Sequence, residues 1–121
     1  MSELTESYGA DSGQINESLV KVRNFSESLF GKKLEAVILF GSYARGDFDG
    51  ESDVDIMIVA DVDANNLTPY RLQFSRFGTE LDLMYGVFHS FSLQDKATFE
   101  RWKNSLPFYR NVVEEGIPVN A

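Results

Sequence analysis

Two short segments contain residue types that could bind phosphate groups and a divalent cation. Gly41-Ser42 follows an apolar run, and a turn there can present backbone N–H groups and a serine hydroxyl to phosphate oxygens. Asp53 and Asp55 open a second apolar run, where strand alternation places both carboxylates on one face, about 7 Å apart at the backbone. Such a pair can bind one Mg²⁺ or two ions about 4 Å apart.

Asp82 is a third candidate, because it lies between Leu81 and Leu83 in a run that reads as a strand over residues 79–87. An acid in the middle of an apolar strand is unusual. If this strand neighbours the strand of Asp55, three carboxylates meet at one site; the alternative is that Asp82 faces solvent.

The charge distribution favours a bound cation near these acids. The chain carries a net charge of −8, and residues 47–63 contain seven acids and no lysine or arginine. Clustered carboxylates repel one another unless a cation lies among them. Broad binding of nucleic acid needs the opposite sign and is disfavoured. Arg45, just before this segment, can bind phosphate or hold the acidic loop.

Length and composition predict a single small domain. The 121 residues are 43% hydrophobic and 25% charged, which is ordinary for a globular domain. We expect a mobile tail over residues 1–13 and one domain over residues 14–121. No cysteine is present, and the one histidine, His89, is expected at the surface or in a loop rather than as a catalytic base. The chain lacks a membrane-spanning run and a secretory signal pattern, so we expect a cytoplasmic protein.

Apolar periodicity predicts a central sheet with helices packed on it. Ile15, Leu19 and Val22 recur at helical spacing, which predicts a first helix from residue 14 to Gly31. Strands are predicted over residues 35–40, 53–60 and 79–87, with a short edge strand over 117–119. Further helices are predicted over residues 68–78, from a capping box at 92–95 through residue 102, and over 107–116. The aromatic side chains of the last two helices are expected in the core or facing a partner, with stacking on a nucleotide base as the alternative (Phe99, Trp102, Phe108).

The combined pattern resembles the minimal nucleotidyltransferases of the polymerase-beta-like superfamily. The family pattern is Gly-Ser, about ten residues, Asp-x-Asp and a later strand aspartate; here it reads Gly41-Ser42, Asp53, Asp55 and Asp82, with Ala-Arg-Gly at residues 44–46. The resemblance implies an α/β (α+β) fold with a mixed sheet flanked by helices. It also implies transfer of a nucleoside monophosphate, AMP in the first instance, from an NTP to an acceptor hydroxyl with release of pyrophosphate.

The resemblance further implies roles for individual residues and partners. Three residues would be catalytic and bind two Mg²⁺ ions, namely Asp53, Asp55 and Asp82. The nucleotide, which is expected to be ATP, would be bound by Gly41 and Ser42. Arg45 would also bind the nucleotide in one of the two alternatives given for it. Minimal members often accompany a HEPN-domain protein as a toxin–antitoxin pair, and some modify a tyrosine of that partner. A homodimer could instead build the acceptor pocket.

Two other hypotheses follow from the same residues. The chain could be an antitoxin-type binding module that neutralises a HEPN partner by contact without catalysis. It could also use a divalent cation only to stabilise its fold.

Overall fold

The computed structural model describes residues 12–120, which form three layers with a sheet in the middle. Helix α1 (Ser12–Phe30) leads through a 3₁₀ turn (Gly31–Lys33) to strand β1 (Leu34–Phe40) and the short helix α2 (Ser42–Arg45). Strand β2 (Val54–Ala60) and a 3₁₀ turn (Ala64–Asn66) precede helix α3 (Thr68–Tyr85). The chain continues through strand β3 (His89–Asp95), helices α4 (Lys96–Trp102) and α5 (Pro107–Glu115), and strand β4 (Ile117–Pro118).

The sheet is mixed, with the strand order β3-β2-β1-β4. Strand β1 pairs antiparallel with β2 and with β4, whereas β2 and β3 are parallel and connected through α3. The predicted mixed sheet flanked by helices is therefore confirmed. Within residues 12–120 no helix is long and apolar enough to cross a membrane.

The two faces of the sheet bury different sets of side chains. On one face, Val54, Ile56 and Ile58 are fully buried against α1 and α3. On the other face, Met57 and Val59 pack against α4 and α5 through Phe99 and Val112. Because alternate residues of β2 serve opposite faces, this strand lies at the centre of the molecule, and Asp55 shares the face of Met57.

Two predicted boundaries need correction near the N-terminus and in the middle of the chain. Residues 12 and 13 belong to α1, so the predicted tail does not extend to residue 13; residues 1–11 lie outside the described part. Helix α3 does not end at Gly78, because that glycine packs against the Phe91 ring of β3. The helix ends at Gly86, whose φ of 72° provides a left-handed C-cap.

The predicted strand over residues 79–87 is wrong, since this segment forms the second half of α3. The buried positions Phe74, Gly78, Leu81 and Tyr85 recur at helical spacing, which outweighs the local alternation around Asp82. The third long strand is β3, where His89, Phe91 and Leu93 alternate with polar residues. The predicted capping box at residues 92–95 is also wrong in part, because Asp95 alone caps α4, by accepting a hydrogen bond from the backbone N–H of Thr98.

Candidate active site

The candidate site forms where the end of β1 meets the start of β2. Phe40, the last residue of β1, is the cross-strand partner of Asp55. Gly41 follows with a φ of 76°, and a Cβ atom there would collide with the Asp55 Oδ2 atom. Residue 41 must therefore be glycine for two reasons, since its backbone is left-handed and its Cα faces a carboxylate at contact distance.

The carboxylates of Asp53 and Asp55 form an electrostatically strained pair. Asp53 is exposed just before β2, and Asp55 is half-buried within it. Burial, followed by the negative charge of Asp53, raises the pKa of Asp55 above its ordinary value, and Arg45 opposes this shift. No side-chain or backbone donor among residues 12–120 hydrogen-bonds either carboxylate. The fold thus holds two acids together without neutralising them.

The same negative potential reaches Tyr43. Burial and the charges of Asp49 and Asp53 raise the pKa of the Tyr43 hydroxyl. The Tyr43 ring stacks on Phe48, with centroids 4.1 Å apart and planes 11° apart. This contact ties α2 to the acidic loop.

The donor set suits Mg²⁺ shared between protein and substrate. Within the described residues, no group of three or more histidine, aspartate or glutamate side chains could hold a metal ion by itself. Magnesium is, however, usually bound by one or two carboxylates together with substrate phosphates. Asp53 and Asp55 provide hard oxygen ligands whose mutual repulsion a cation would relieve. The residues therefore fit a magnesium ion that a nucleotide helps to bind.

The turn after β1 presents backbone donors beside this pair. The first hydrogen bonds of α2 are donated by the N–H groups of Ala44 and Arg45 to the Gly41 carbonyl oxygen. The N–H groups of Ser42 and Tyr43 come before these donors and take no part in the hydrogen bonds of the helix itself. Arg45 donates to Asp47 Oδ2 over 3.1 Å and to Glu115 Oε1 over 3.4 Å. In this state Arg45 holds the acidic loop to α5, which is one of the two roles expected for it.

Asp82 does not join Asp53 and Asp55. It lies near the end of α3, in the helical layer on the opposite face of the sheet from Asp55. Its Oδ1 atom accepts hydrogen bonds from the His89 backbone N–H (2.7 Å) and ring Nδ1 (3.1 Å). The predicted three-carboxylate site is thus not formed, because the segment carrying Asp82 is a helix rather than a strand next to β2.

His89 is a buried residue and not the expected surface or loop histidine. Its side chain has no exposed area, and its Nε2 atom lies 3.0 Å from Ser18 Oγ of α1. Both neighbours of Nδ1 are acceptors, namely Asp82 Oδ1 and the Val87 carbonyl oxygen, so this nitrogen carries the hydrogen. The network joins α1, α3 and the start of β3, and it gives Asp82 a structural task.

The position beside Asp55 on the neighbouring strand belongs to Ser90. The parallel register pairs Asp55 with Ser90 and Met57 with Ser92, so these serines lie on the face of Asp55. Sequence reasoning missed this strand, although the alternation of serine with Phe91 and Leu93 was a period-two signal. The described site consequently has one carboxylate on β2, one directly before it, and a serine residue on the neighbouring strand where a third acid was expected.

The structure combines a four-stranded mixed sheet with a glycine turn that lies against the Asp55 carboxylate. The sequence profile of the family described as "Nucleotidyltransferase domain" matches residues 19–119. The chain belongs to this family and is a nucleotidyltransferase. The resemblance seen in the sequence is thereby confirmed.

Two relatives from Methanocaldococcus jannaschii are similar in sequence. The chain is 41% identical over 93 residues to "Putative protein adenylyltransferase MJ0604", an alignment that covers 77% of this chain and 85% of that protein. It is 48% identical over 46 residues to "Putative protein adenylyltransferase MJ0141", which covers 38% of this chain and 46% of that protein.

Two solved structures are similar in fold. A "putative nucleotidyltransferase from Sulfolobus solfataricus" has a TM-score of 0.56 and 25% identity, with 87% of this chain and 80% of that chain covered. A chain from a crystal structure of a "toxin-antitoxin with AMP-PNP" has a TM-score of 0.54 and 23% identity, with 85% and 73% covered. At this identity the second similarity concerns the fold alone.

Proposed function

We propose that this nucleotidyltransferase is a protein adenylyltransferase, which transfers AMP from ATP to a hydroxyl group of a protein. The support is the 41% identity with a relative whose name carries that activity, over most of both chains. The observation that carries the proposal is the Asp55 carboxylate held against the Gly41 turn, with the charge of Asp53 nearby. Carboxylates and backbone donors meet there, where β1 ends and β2 begins, as a metal-bound triphosphate requires.

Each site residue has a distinct task in this reaction. Asp53 and Asp55 would hold Mg²⁺, which supplies charge neutralisation on the triphosphate when bound. Gly41 allows the phosphates to approach the backbone, and the amides and hydroxyl of the Ser42 turn donate hydrogen bonds to them. Arg45 can exchange its exposed carboxylate partners for a phosphate oxygen.

The chemistry is an in-line displacement at the α-phosphorus of ATP. A bond forms between the acceptor hydroxyl oxygen and the α-phosphorus, while the bond from that phosphorus to the bridging oxygen of pyrophosphate breaks. The hydroxyl proton passes to water beside the end of β1 and the start of β2, and pyrophosphate leaves. Asp82 takes no part, since it lies on the other side of the sheet.

We propose that the acceptor belongs to a separate protein, with a tyrosine of a HEPN-domain partner as the first candidate. Residues 12–120 form one three-layer domain and include no additional domain that could bind an acceptor. In this proposal the partner provides the acceptor and part of its binding surface. The choice of a HEPN-domain partner rests on the family resemblance carried by Gly41-Ser42, Asp53 and Asp55.

The test is label transfer from ATP carrying ³²P in its α-phosphate. Purified protein is incubated with Mg²⁺ and a co-expressed HEPN-domain candidate, and label on the candidate is measured after electrophoresis. We expect label that disappears on chelation of Mg²⁺ and in the double variant Asp53→Asn/Asp55→Asn. Asp61→Asn is the matched control, because Asp61 is an exposed acid directly after the same strand.

Two results would count against the proposal. Equal labelling by the double variant would remove the carboxylate pair from the mechanism. Complete neutralisation of the partner's toxicity by the double variant, without any label, would favour the contact-only antitoxin instead.

A further inference from the structure

A small pocket lies next to the phosphate-binding turn, on the face of the sheet that carries Asp55. It has a volume of about 200 Å³ and lies between the Gly41 turn and helix α5. Its wall includes Phe40, the cross-strand partner of Asp55, and Gly41, which contacts the Asp55 carboxylate. A nucleotide whose phosphates lie on the turn would therefore have this pocket within reach of its nucleoside.

The pocket is lined by aromatic and apolar groups on one side. Phe108 of α5 packs edge-to-face on Phe40, with ring centroids 5.6 Å apart and planes 84° apart. Phe108 is nevertheless 47% exposed as a residue, while Val112, four residues further on the helix, is buried. An aromatic ring held in place with an open side is a stacking surface for a planar base.

Polar groups line the rest of the pocket. Asn111 lies one turn after Phe108 on the same helix, and its amide offers both an acceptor and donors. Glu115, one turn further, pairs with Arg45 and so closes the pocket at the side of the phosphate turn. A carboxamide can pair with the adjacent donor and acceptor of an adenine edge.

The size of the pocket limits what it can take. Sites for drug-sized ligands usually measure about 300–1,000 Å³. A pocket of about 200 Å³ suits one base rather than a whole nucleotide, which agrees with phosphates that bind outside it on the Gly41 turn. A larger groove of about 430 Å³ is lined by residues such as Leu39 and Leu19, which belong to the α1 side of the sheet. That groove faces away from Asp55.

We propose that the pocket between Gly41 and α5 binds the purine base of the substrate, with Phe108 stacking on the base and Asn111 selecting adenine. This inference rests on the proposed nucleotide binding at Asp53 and Asp55, and it adds the residues that set the choice of nucleotide. Helix α5 thereby becomes part of the nucleotide site although it contributes no charged group to the metal.

The test is a specificity switch. Asn111→Asp replaces a donor and an acceptor by two acceptors, which suit the adjacent N–H donors of guanine. We expect this variant to lose ATP affinity and gain GTP affinity, with the ratio of the two Kd values changing about tenfold or more in the presence of Mg²⁺. Asn104→Asp, an exposed asparagine between α4 and α5, carries the same charge change away from the pocket and should leave the ratio unchanged.

A second variant tests the stacking. Phe108→Leu should weaken ATP and GTP binding alike, by about tenfold. Inorganic tripolyphosphate should bind the wild type and this variant equally, because it has no base. Phe77→Leu is the matched control, since Phe77 lies in α3 and stacks on Phe25 of α1, on the other face of the sheet.

The outcomes separate this inference from the proposed function. Magnesium-dependent ATP binding that is unchanged by both pocket variants would overturn the base pocket alone. Tripolyphosphate that binds wild type as tightly as ATP does would overturn it as well. Absence of any magnesium-dependent ATP binding in the wild type would overturn both proposals.

Discussion

Asp55 and Asp82 have chemically identical side chains on opposite sides of one sheet, but they differ in whether the fold supplies hydrogen-bond donors to the carboxylate. Asp55 stands beside a second acid and receives no hydrogen bond from residues 12–120, so its charge is available to a ligand. Asp82 accepts two hydrogen bonds from His89, so its charge is already used within the fold. The difference teaches that the surroundings of a carboxylate, rather than its presence in an apolar run, decide whether it can serve a reaction.

The largest expected effect is the loss of activity in Asp55→Asn. We expect AMP transfer to fall at least about 100-fold, because a neutral amide removes half of the charge that binds the cation. The nucleotide-free protein should keep its stability at pH 7, because the raised pKa means that the fold disfavours the ionised carboxylate. Label transfer and thermal unfolding check the two parts, and a variant that unfolds would contradict the comparison.

Asp82→Ala should have the reverse profile. His89 would lose the acceptor of its backbone N–H and the charged partner of its ring, at a cost of about 1.5–3 kcal/mol in the free energy of unfolding. Thermal denaturation should show a melting temperature lowered by about 10 °C. Activity measured well below that temperature should remain close to wild type, and a 100-fold loss with an intact fold would return Asp82 to the mechanism.

Gly41→Ala tests the close contact between Gly41 and the Asp55 carboxylate. The new methyl group would need a positive φ and would meet the Asp55 carboxylate, so we expect a destabilisation of about 1–3 kcal/mol. Gly46→Ala is the control, because Gly46 also has a positive φ but its Cβ would meet nothing within 4 Å. A larger loss of ATP affinity at residue 41 than at residue 46 is expected, and equal losses would make the contact irrelevant to binding.

The smallest expected effect is the loss of stability in Asp95→Ala, which adds a third carboxylate to the comparison of Asp55 and Asp82. Burial raises the pKa of Asp95, but hydrogen bonds from Thr98 and Gln94 outweigh burial, so the pKa lies below its ordinary value. Asp95→Ala should cost about 1 kcal/mol at pH 7 through loss of the α4 cap. Since the folded-state pKa is lowered, the wild-type advantage is present above about pH 3.9 and fades as the pH falls through the lower folded-state value. Urea unfolding at pH 7 and pH 3 measures this, and a pH-independent difference would contradict it.

Local sequence patterns were sufficient to predict the helix and the strands around Asp55. Helix α1 and strands β1 and β2 follow from apolar periodicities that are long and uninterrupted, and the glycine between β1 and α2 follows from its place after a buried run. The residues proposed for metal and phosphate binding lie within or directly beside these elements. Their mutual proximity could be predicted because β1 and β2 are neighbours along the chain.

The segment around Asp82 could not be read in the same way. An aspartate between two leucines fits a strand alternation over three residues, but it also fits a helix whose buried positions are Phe74, Gly78 and Leu81. The choice depends on a longer window and on Gly78, which permits α3 to approach Phe91 of β3. The wrong element then placed the third carboxylate on the wrong side of the sheet.

The amino-acid sequence by itself determined that Asp53 and Asp55 form a carboxylate pair at the start of β2 and that a glycine turn follows β1, since both are set by residue type and short-range spacing. Only the tertiary structure decided which strand lies beside Asp55, that His89 holds Asp82, and that Phe108 and Asn111 of α5 border the site. The physical reason is that parallel strand pairing and helix packing join residues distant along the chain, and their partners are selected by the burial of whole faces rather than by local pattern.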